Sequence, residues 1–330
     1  MSIKEIAEAL NLSKATVSCV LSGQGEKKGF SEKTIKRVND YAASINYTPN
    51  LLARSLSTGS TNTIGLIIPF IGDTFYAQLV QETEMAAAKL GYMLMVCSSE
   101  GDVDKEFELI KTLKTKQVDG LIIAPTKISQ KGIEYLNQEK FPFVLIDRYY
   151  PSLKTNYVVV DNKEASKELV LRIGRMGTKK IALLSADTFL YVMRLRIEGY
   201  YEAIDMLHLE NDQSLEVVVS RNYYEEGVRQ QLDHLFKEVP DVDGFYFSTH
   251  YLALEAIRYF RSHQIDYLNK FHMGCFHTTV GLDILAPNML ISEMPIEAIG
   301  KTAVEILLDN IKEGDTFEYR GVVLKNILRI

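Results

Sequence analysis

Apolar runs of strand length alternate with amphipathic stretches of helical length from Thr63 onward. The first series predicts strands near 64–69, 92–96, 120–124 and 143–147, and helices near 75–90, 104–116 and 129–139. The second predicts strands near 180–185, 215–219, 244–248 and 272–276, and helices near 163–175, 193–207, 224–236 and 251–262. Such alternation is typical of parallel α/β layers. Two lobes are expected, with a ligand cleft where the carboxyl ends of their strands face each other.

The first 47 residues show apolar residues at helical spacing only, without the strand-length apolar runs of the later part of the chain. Ser2 and Glu5 fit a capping box for a helix that begins at Ile3, and Asn11-Leu12 interrupts the helical pattern. Ser13 can cap a second helix over 14–21 with a short, polar outer side. A third helix opens at Ser31, and the residues expected to be buried in it are Ile35, Val38, Ala42 and Ile45. This spacing indicates a helix-turn-helix unit.

The charge of the chain is divided unevenly. Residues 1–60 hold eight Lys and Arg and five Asp and Glu, a net charge of +3, so the remaining 270 residues carry −9 out of a total of −6. A basic head on an acidic body is expected when only the head meets a polyanion. The three cysteines are scattered and are predicted to be reduced. We expect a cytoplasmic protein with no membrane segment.

The segment IKEIAEALNLSKATVSCVLSG, followed by VNDYAASINYTPNLLARSL, closely resembles the lactose-repressor (LacI) family of bacterial transcription regulators. The resemblance implies that Lys14, Ala15 and Cys19 lie at base edges, with Ser13, Thr16 and Ser18 nearer to phosphates. Cys19 stands where the family usually has arginine, so a bidentate contact to guanine is missing and the operator should differ there. The loop 23–29 is about three residues longer than usual, and Lys27 and Lys28 either grip phosphate or belong to a solvated loop.

Residues 48–56 predict a short helix, with Thr48 as its cap and Pro49 at its first position. A helix this short needs a partner to fold against. In the family it is a hinge that forms on the operator, pairs with the hinge of a second subunit and inserts a leucine into the minor groove. The resemblance gives this role to Leu56, which would otherwise be interpreted as a domain-packing residue. The predicted DNA-binding residues here are Tyr47, Asn50, Ala53 and Leu56.

Residues 60–330 resemble the effector domains of the same family and the periplasmic sugar-binding proteins. The predicted effector-binding residues are Asp73, Phe75, Tyr76, Asp147, Arg148, Arg196, Asn222, Thr249, His250, Phe276 and His277. Arg196 with Gly199 matches the ligand-gripping R-x-x-G of the family. Phe75 is equally compatible with a core position, and Asp147 with Arg148 could form a simple ion pair.

Three positions depart from the family pattern in the predicted cleft. Thr249-His250 stands where Asn-Asp is common, Phe276-His277 replaces Asp-Asp, and Met294 replaces a frequent glutamine. With two arginines and two titratable histidines, a sugar acid or phosphorylated sugar is expected to be favoured over a neutral hexose, with binding that strengthens as the pH falls from about 8 to about 6.

Motifs for hydrolases, kinases and dinucleotide enzymes are missing from the sequence, as is any metal-ligand spacing. We therefore expect no enzyme, cofactor or metal. The favoured interpretation is a homodimeric, ligand-responsive repressor of near-palindromic operator DNA. A soluble sugar-binding protein with a vestigial head is the alternative, and an unrecognised enzyme in the cleft is a third. The predicted organisation is a DNA-binding domain over 1–47, a hinge over 48–60 and an effector domain over 61–330, with lobe 1 at 61–160 and 290–318 and lobe 2 at 161–289 and 319–330.

Overall fold

The structure is a computed structural model that describes residues 3–47, 59–126, 130–186, 188–210, 212–220 and 223–329. The chain divides into two compact units, residues 1–61 and residues 62–330.

The first unit contains three helices, α1 (Ile3–Leu10), α2 (Lys14–Leu21) and α3 (Glu32–Ser44), as the sequence predicts. One apolar face of each helix forms the core, which consists of Ile6, Ala7, Val17, Val20, Val38 and Ala42. Ile35 and Ile45 pack on this core but are only partly buried. Gly25, in the loop before α3, packs closely on this core, because a Cβ atom there would lie 3.0 Å from Cγ1 of Ile35 and 3.4 Å from Cγ2 of Val20.

Lobe 1 of the second unit is built on a wholly parallel six-stranded sheet in the order β11-β5-β4-β3-β1-β2. Its strands are β1 (Thr63–Ile68), β2 (Met93–Ser98), β3 (Gly120–Ile123), β4 (Phe143–Ile146), β5 (Tyr157–Val160) and β11 (Gly321–Leu324). Its helices are α4 (Thr74–Lys89), α5 (Val103–Thr115), α6 (Lys131–Gln138) and α13 (Ile296–Glu313). Because helices cover both faces, the central strands are apolar throughout.

Lobe 2 repeats the arrangement with strand order β12-β10-β9-β8-β6-β7. Its strands are β6 (Ile181–Ala186), β7 (Glu216–Val219), β8 (Gly244–Phe247), β9 (His272–Phe276), β10 (Leu290–Glu293) and β12 (Ile327–Arg329), of which β12 runs antiparallel to β10. Its helices are α7 (Asn162–Arg175), α8 (Tyr191–Met206), α9 (Tyr224–Glu238), α10 (His250–Ser262), α11 (Tyr267–Lys270) and α12 (Leu282–Leu285). All eight predicted strands and seven predicted helices of the two lobes are present, with ends within two residues of the prediction.

The chain crosses between the lobes three times: between β5 and α7, between β10 and α13, and between β11 and β12. The predicted lobe boundaries are wrong at two places. Residues 290–293 belong to lobe 2, because β10 pairs with β9, and residues 321–324 belong to lobe 1, because β11 pairs with β5. Strand pairing, which joins residues distant in sequence, decides both assignments.

Gly199 of α8 has a packing role. A Cβ atom at this position would lie 2.3 Å from the backbone oxygen of Lys163 in α7. Only glycine therefore allows α8 to approach α7 this closely. Arg196 lies one turn earlier on α8, so the glycine of the R-x-x-G pattern determines how close the helix that carries the arginine lies to α7.

We predict that Gly199→Ala lowers the free energy of unfolding by about 2 kcal/mol, because backbone must move to admit the methyl group. Urea denaturation followed by circular dichroism measures this. Gly72→Ala is the control, since a Cβ there meets nothing within 4 Å. Equal stabilities of the two variants would contradict the packing role.

Candidate functional site

Helix α2 presents a short, polar surface to solvent. The Ser13 hydroxyl caps the helix by accepting a hydrogen bond from the Thr16 amide at 3.0 Å. Val17 and Val20 are directed into the core of the head, which leaves the opposite side exposed. Four of the predicted DNA-binding residues are exposed there, namely Ser13, Lys14, Ala15 and Ser18. Two more, Thr16 and Cys19, are half-buried. Lys14 supplies the cationic group of this surface.

The other predicted DNA contacts lie towards the end of the head. Tyr47 is half-buried and packs against the core of the helical unit. It therefore has a structural role, and its contact with DNA stays a prediction. Asn50, Ala53 and Leu56 lie outside the described residues.

Ten of the eleven predicted effector-binding residues line one cavity between the lobes, and Asn222 lies outside the described residues. They follow the carboxyl ends of strands in both sheets or lie on a helix that begins there, as expected for parallel layers. The ten are Asp73, Phe75, Tyr76, Asp147, Arg148, Arg196, Thr249, His250, Phe276 and His277. Their role in binding a ligand stays a prediction.

Asp147, directly after β4, anchors the lobe 1 side of the cavity. It is buried, its Oδ2 accepts a hydrogen bond from the Tyr76 hydroxyl at 2.8 Å, and the same oxygen lies 3.3 Å from Nε of Arg148. Arg148 also donates to the backbone oxygens of Pro125 and Thr126, each at 3.0 Å. Asp147 and Arg148 thus form the ion pair that the sequence allowed, within the wall of the cavity.

A buried carboxyl group supports this wall from behind. Glu106 accepts a hydrogen bond from the Thr126 amide at 2.7 Å, and burial raises the pKa of Glu106. The bond holds the backbone whose carbonyl oxygens receive Arg148. Glu106 is thus a positioning residue that sequence reasoning missed, because its helical position gives no sign of its contact.

Arg196 forms the lobe 2 side and is only 6% exposed. Its Nε donates to Oδ1 of Asn162 at 2.8 Å and its Nη1 to the backbone oxygen of Ser248 at 2.7 Å. Its guanidinium lies 3.7 Å from the centre of the Phe276 ring, a cation–π contact. Burial lowers the pKa of Arg196, but a guanidinium remains charged at any physiological pH.

Small polar and aromatic contacts join the lobes across the cavity. Nε2 of His250 lies 3.4 Å from Oδ1 of Asp73, and the hydroxyls of Thr74 and Thr279 are 2.8 Å apart. The ring of Phe75 meets that of His277 edge to face at 5.3 Å. Phe75 is therefore both buried and part of the cavity wall, so neither interpretation of this residue excludes the other.

His277 is buried and electrically neutral. Burial, His250 and Arg196 lower the pKa of His277 to about 3. Its Nδ1 accepts a hydrogen bond from the Met294 amide at 3.3 Å, so the proton is carried by Nε2. The expectation that His277 titrates near neutral pH and adds positive charge is wrong, because desolvation penalises its cationic form.

The comparisons with known proteins agree over both units. Residues 2–50 match the model of the bacterial regulatory proteins of the lacI family, and residues 64–290 match a periplasmic binding protein domain. Catabolite control protein A of Staphylococcus aureus is 31% identical over 69% of this chain and 68% of its own length. The transcriptional regulator DegA of Bacillus subtilis is 28% identical over 91% of this chain and 88% of its own length.

The chain belongs to the LacI family of bacterial transcription regulators. Solved structures show the same fold. A lac repressor dimer bound to operator and an anti-inducer matches with a TM-score of 0.84 at 18% identity, over 99% of this chain and 97% of that one. The regulator CelR in complex with cellobiose matches with a TM-score of 0.73 at 21% identity, over 100% and 98%. The family match and these relatives make the chain a DNA-binding transcription regulator and not an enzyme.

Within this LacI-family chain, no helix of the described residues is long and apolar enough to cross a membrane. The same residues contain no cluster of three metal-ligating side chains.

The cavity has further lining residues that the sequence analysis did not assign to it: Leu190, Val192, Met193 and Tyr251. Met294, which the sequence analysis did place in the cleft, lines the cavity as well. Three of the four unassigned residues lie at or just before the start of α8, which begins two residues earlier than predicted. Their position after β6 was the available signal, because ligands of LacI-type and other α/β folds bind at the carboxyl ends of strands. Their apolar character concealed it.

We predict that His277→Asn makes stability less dependent on pH. The unfolded chain takes up the His277 proton near pH 6.5 and the folded chain only near 3, so the unfolded state binds more protons between these values. The folded state therefore loses about 2 kcal/mol through this group between pH 7 and pH 5. Urea denaturation at both pH values should show a smaller loss in the variant.

Asparagine is the matched replacement at this position. The backbone φ of His277 is +69°, a left-handed conformation that asparagine tolerates, and its Oδ1 can take the place of Nδ1 as acceptor. His272→Asn, which changes another lobe 2 histidine, is the control. An unchanged pH dependence in His277→Asn would show that His277 does not stay neutral when folded.

Proposed function

We propose that the chain is a homodimeric repressor whose affinity for near-palindromic operator DNA is controlled by a carbohydrate bound between its lobes. The single observation that carries the effector site is a pair of buried polar atoms in the cavity wall. Nε2 of His277 and Oγ1 of Thr249 have no hydrogen-bond partner among the described residues. Because an unsatisfied buried polar group costs about 1–3 kcal/mol, such atoms indicate a ligand or water that completes them.

The chemistry of the wall suits a polyol. Nε2 of His277 is a donor, the Thr249 hydroxyl is both donor and acceptor, and Asp147 is an acceptor. A ring that carries several hydroxyl groups can satisfy all three at once. CelR, which shares the fold, is recorded in complex with cellobiose, which supports a carbohydrate as the class of effector.

The charges of the cavity favour a neutral sugar over the sugar acid or phosphate that the sequence suggested. Asp73 and Asp147 offset Arg148 and Arg196, and His277 contributes no charge. The formal charges of these four side chains therefore sum to zero, so the two arginines supply no excess of positive charge that would attract an anion.

Homodimer formation is supported by apolar surface around the edge of the lobe 1 sheet. Strand β2 is the edge strand, and Met93 and Met95 on it are 61% and 37% exposed. Met85 and Leu90, at the end of α4 and just beyond it, are exposed beside them. An exposed apolar edge of this kind is a protein–protein interface or an aggregation hazard. A second copy of the chain is the occupant that a two-headed operator complex requires.

We predict that Lys14→Ala weakens binding to the selected operator by about 1–3 kcal/mol, since it removes a cation from the exposed side of α2. DNA fragments are first selected from genomic DNA with the full chain, and affinities are then measured by fluorescence anisotropy at fixed salt. Lys116→Ala, the same loss of charge in the other unit, is expected to leave affinity unchanged. If the full chain selects no DNA sequence, the proposed repressor function is wrong, and the alternative, a sugar-binding protein with a vestigial head, is favoured.

We predict that a neutral sugar binds more tightly than the matching sugar acid, and that its affinity changes by less than about threefold between pH 8 and pH 6. Calorimetric titration of the full chain with glucose and glucuronate, and with galactose and galacturonate, tests this. Tighter binding of the acid that strengthens as the pH falls would restore the anionic effector.

A further inference from the structure

A second cavity continues from the effector cavity towards the surface. The effector cavity, called the inner cavity, has a volume of about 60 Å³, and the second, called the outer cavity, has a volume of about 320 Å³. The two share Arg148, Leu190 and Val192 as lining residues. A buried water occupies about 10–15 Å³ of such a cavity. The inner cavity therefore has room for about four to six waters, and the outer cavity for several times as many.

The outer cavity has aromatic walls that other side chains hold in place. Tyr149 of lobe 1 stacks on Tyr157, with ring centres 4.4 Å apart, and meets Tyr191 of lobe 2 edge to face at 5.5 Å. The guanidinium of Arg194 lies 5.7 Å from the centre of the Tyr191 ring. Both lobes therefore contribute fixed aromatic surface beside the inner site.

Phe189 stands out at this cavity because it is 41% exposed, although it belongs to the wall of a concave site. Polar groups surround this aromatic surface. Gln130, which lines the same cavity, donates a hydrogen bond to the Ser152 hydroxyl at 2.9 Å, and Arg194 is exposed. An aromatic floor with a polar rim is the composition of a site that binds a flat, amphipathic group.

We propose that the effector contains at least two sugar rings, the first in the inner cavity and the second on Phe189 and Tyr191 in the outer cavity. This rests on the proposed carbohydrate effector and specifies its length. A pyranose ring fits such a site because its C–H faces are apolar while its hydroxyl groups point outward from the rim. The inner cavity selects the first ring through hydrogen bonds, and the outer one adds affinity through contact area.

The test compares sugars of one and two rings by calorimetric titration of the full chain. Glucose is paired with cellobiose and maltose, and galactose with lactose and melibiose. One of these monosaccharides should fit the inner cavity, and we expect a disaccharide that contains it to bind at least about tenfold more tightly than the monosaccharide alone. Phe189→Ala should remove most of this gain and change the affinity for the monosaccharide by less than about twofold.

Tyr319→Ala is the matched control, because Tyr319 is 45% exposed and lines neither cavity. It should keep the full gain from the second ring. Disaccharides that bind no better than monosaccharides, or a gain that survives Phe189→Ala, would overturn the two-ring effector while the single-ring effector stands. If none of these sugars binds, both the two-ring and the carbohydrate effector are overturned, and operator affinity, measured without sugar, still tests the DNA-binding function separately.

Discussion

The buried guanidinium of Arg196 is the interaction around which the cleft is organised. A buried cation is costly unless its donors are satisfied, and Arg196 reaches acceptors on two different elements, Asn162 at the start of α7 and Ser248 after β8. Phe276, at the end of β9, covers its face. The close approach of α8 to α7 that Gly199 permits is what brings these groups together. One charged side chain thus joins two strand ends, those of β8 and β9, and two helices, α7 and α8, on the lobe 2 side.

Local patterns predicted much of the fold. The sequence predicted the three head helices and, in the lobes, eight strands and seven helices. These predictions succeeded because helix caps and apolar periodicity depend only on residues close together in the sequence. Strands β5, β10, β11 and β12, the 18-residue helix α13 and the four-residue helices α11 and α12 were missed. Strands β11 and β12 are half exposed, so no long apolar run marks them, and β5 and β10 are only four residues long. Their membership of a sheet depends on partners far away in sequence.

The candidate site was predicted in position but not in electrostatics. Nine residues came from the rule that strand ends carry ligands, and Arg196 came from the R-x-x-G pattern of the family; the structure brings all ten to one cavity. The charge of His277 could not be predicted, because it depends on burial and on the approach of Arg196 and His250 from other elements. The same histidine has a positive φ, as does Asp147, so two strand ends of the cavity adopt left-handed backbone. Such conformations cost energy and are common where a site requires a fixed geometry.

The contacts between the lobes set the scale on which a ligand could act. Each hydrogen bond such as that between Thr74 and Thr279 contributes about 1 kcal/mol, and the edge-to-face rings of Phe75 with His277 and of Tyr149 with Tyr191 contribute similar amounts. The three chain crossings and these contacts together join the lobes. Reversing a 1:99 equilibrium requires a difference in ligand affinity of about 5.5 kcal/mol between the two arrangements. A sugar that forms hydrogen bonds with His277 and Thr249 of lobe 2 and with Asp147 of lobe 1 would make them all only when the lobes are closed. Its binding would therefore stabilise the closed arrangement of the lobes.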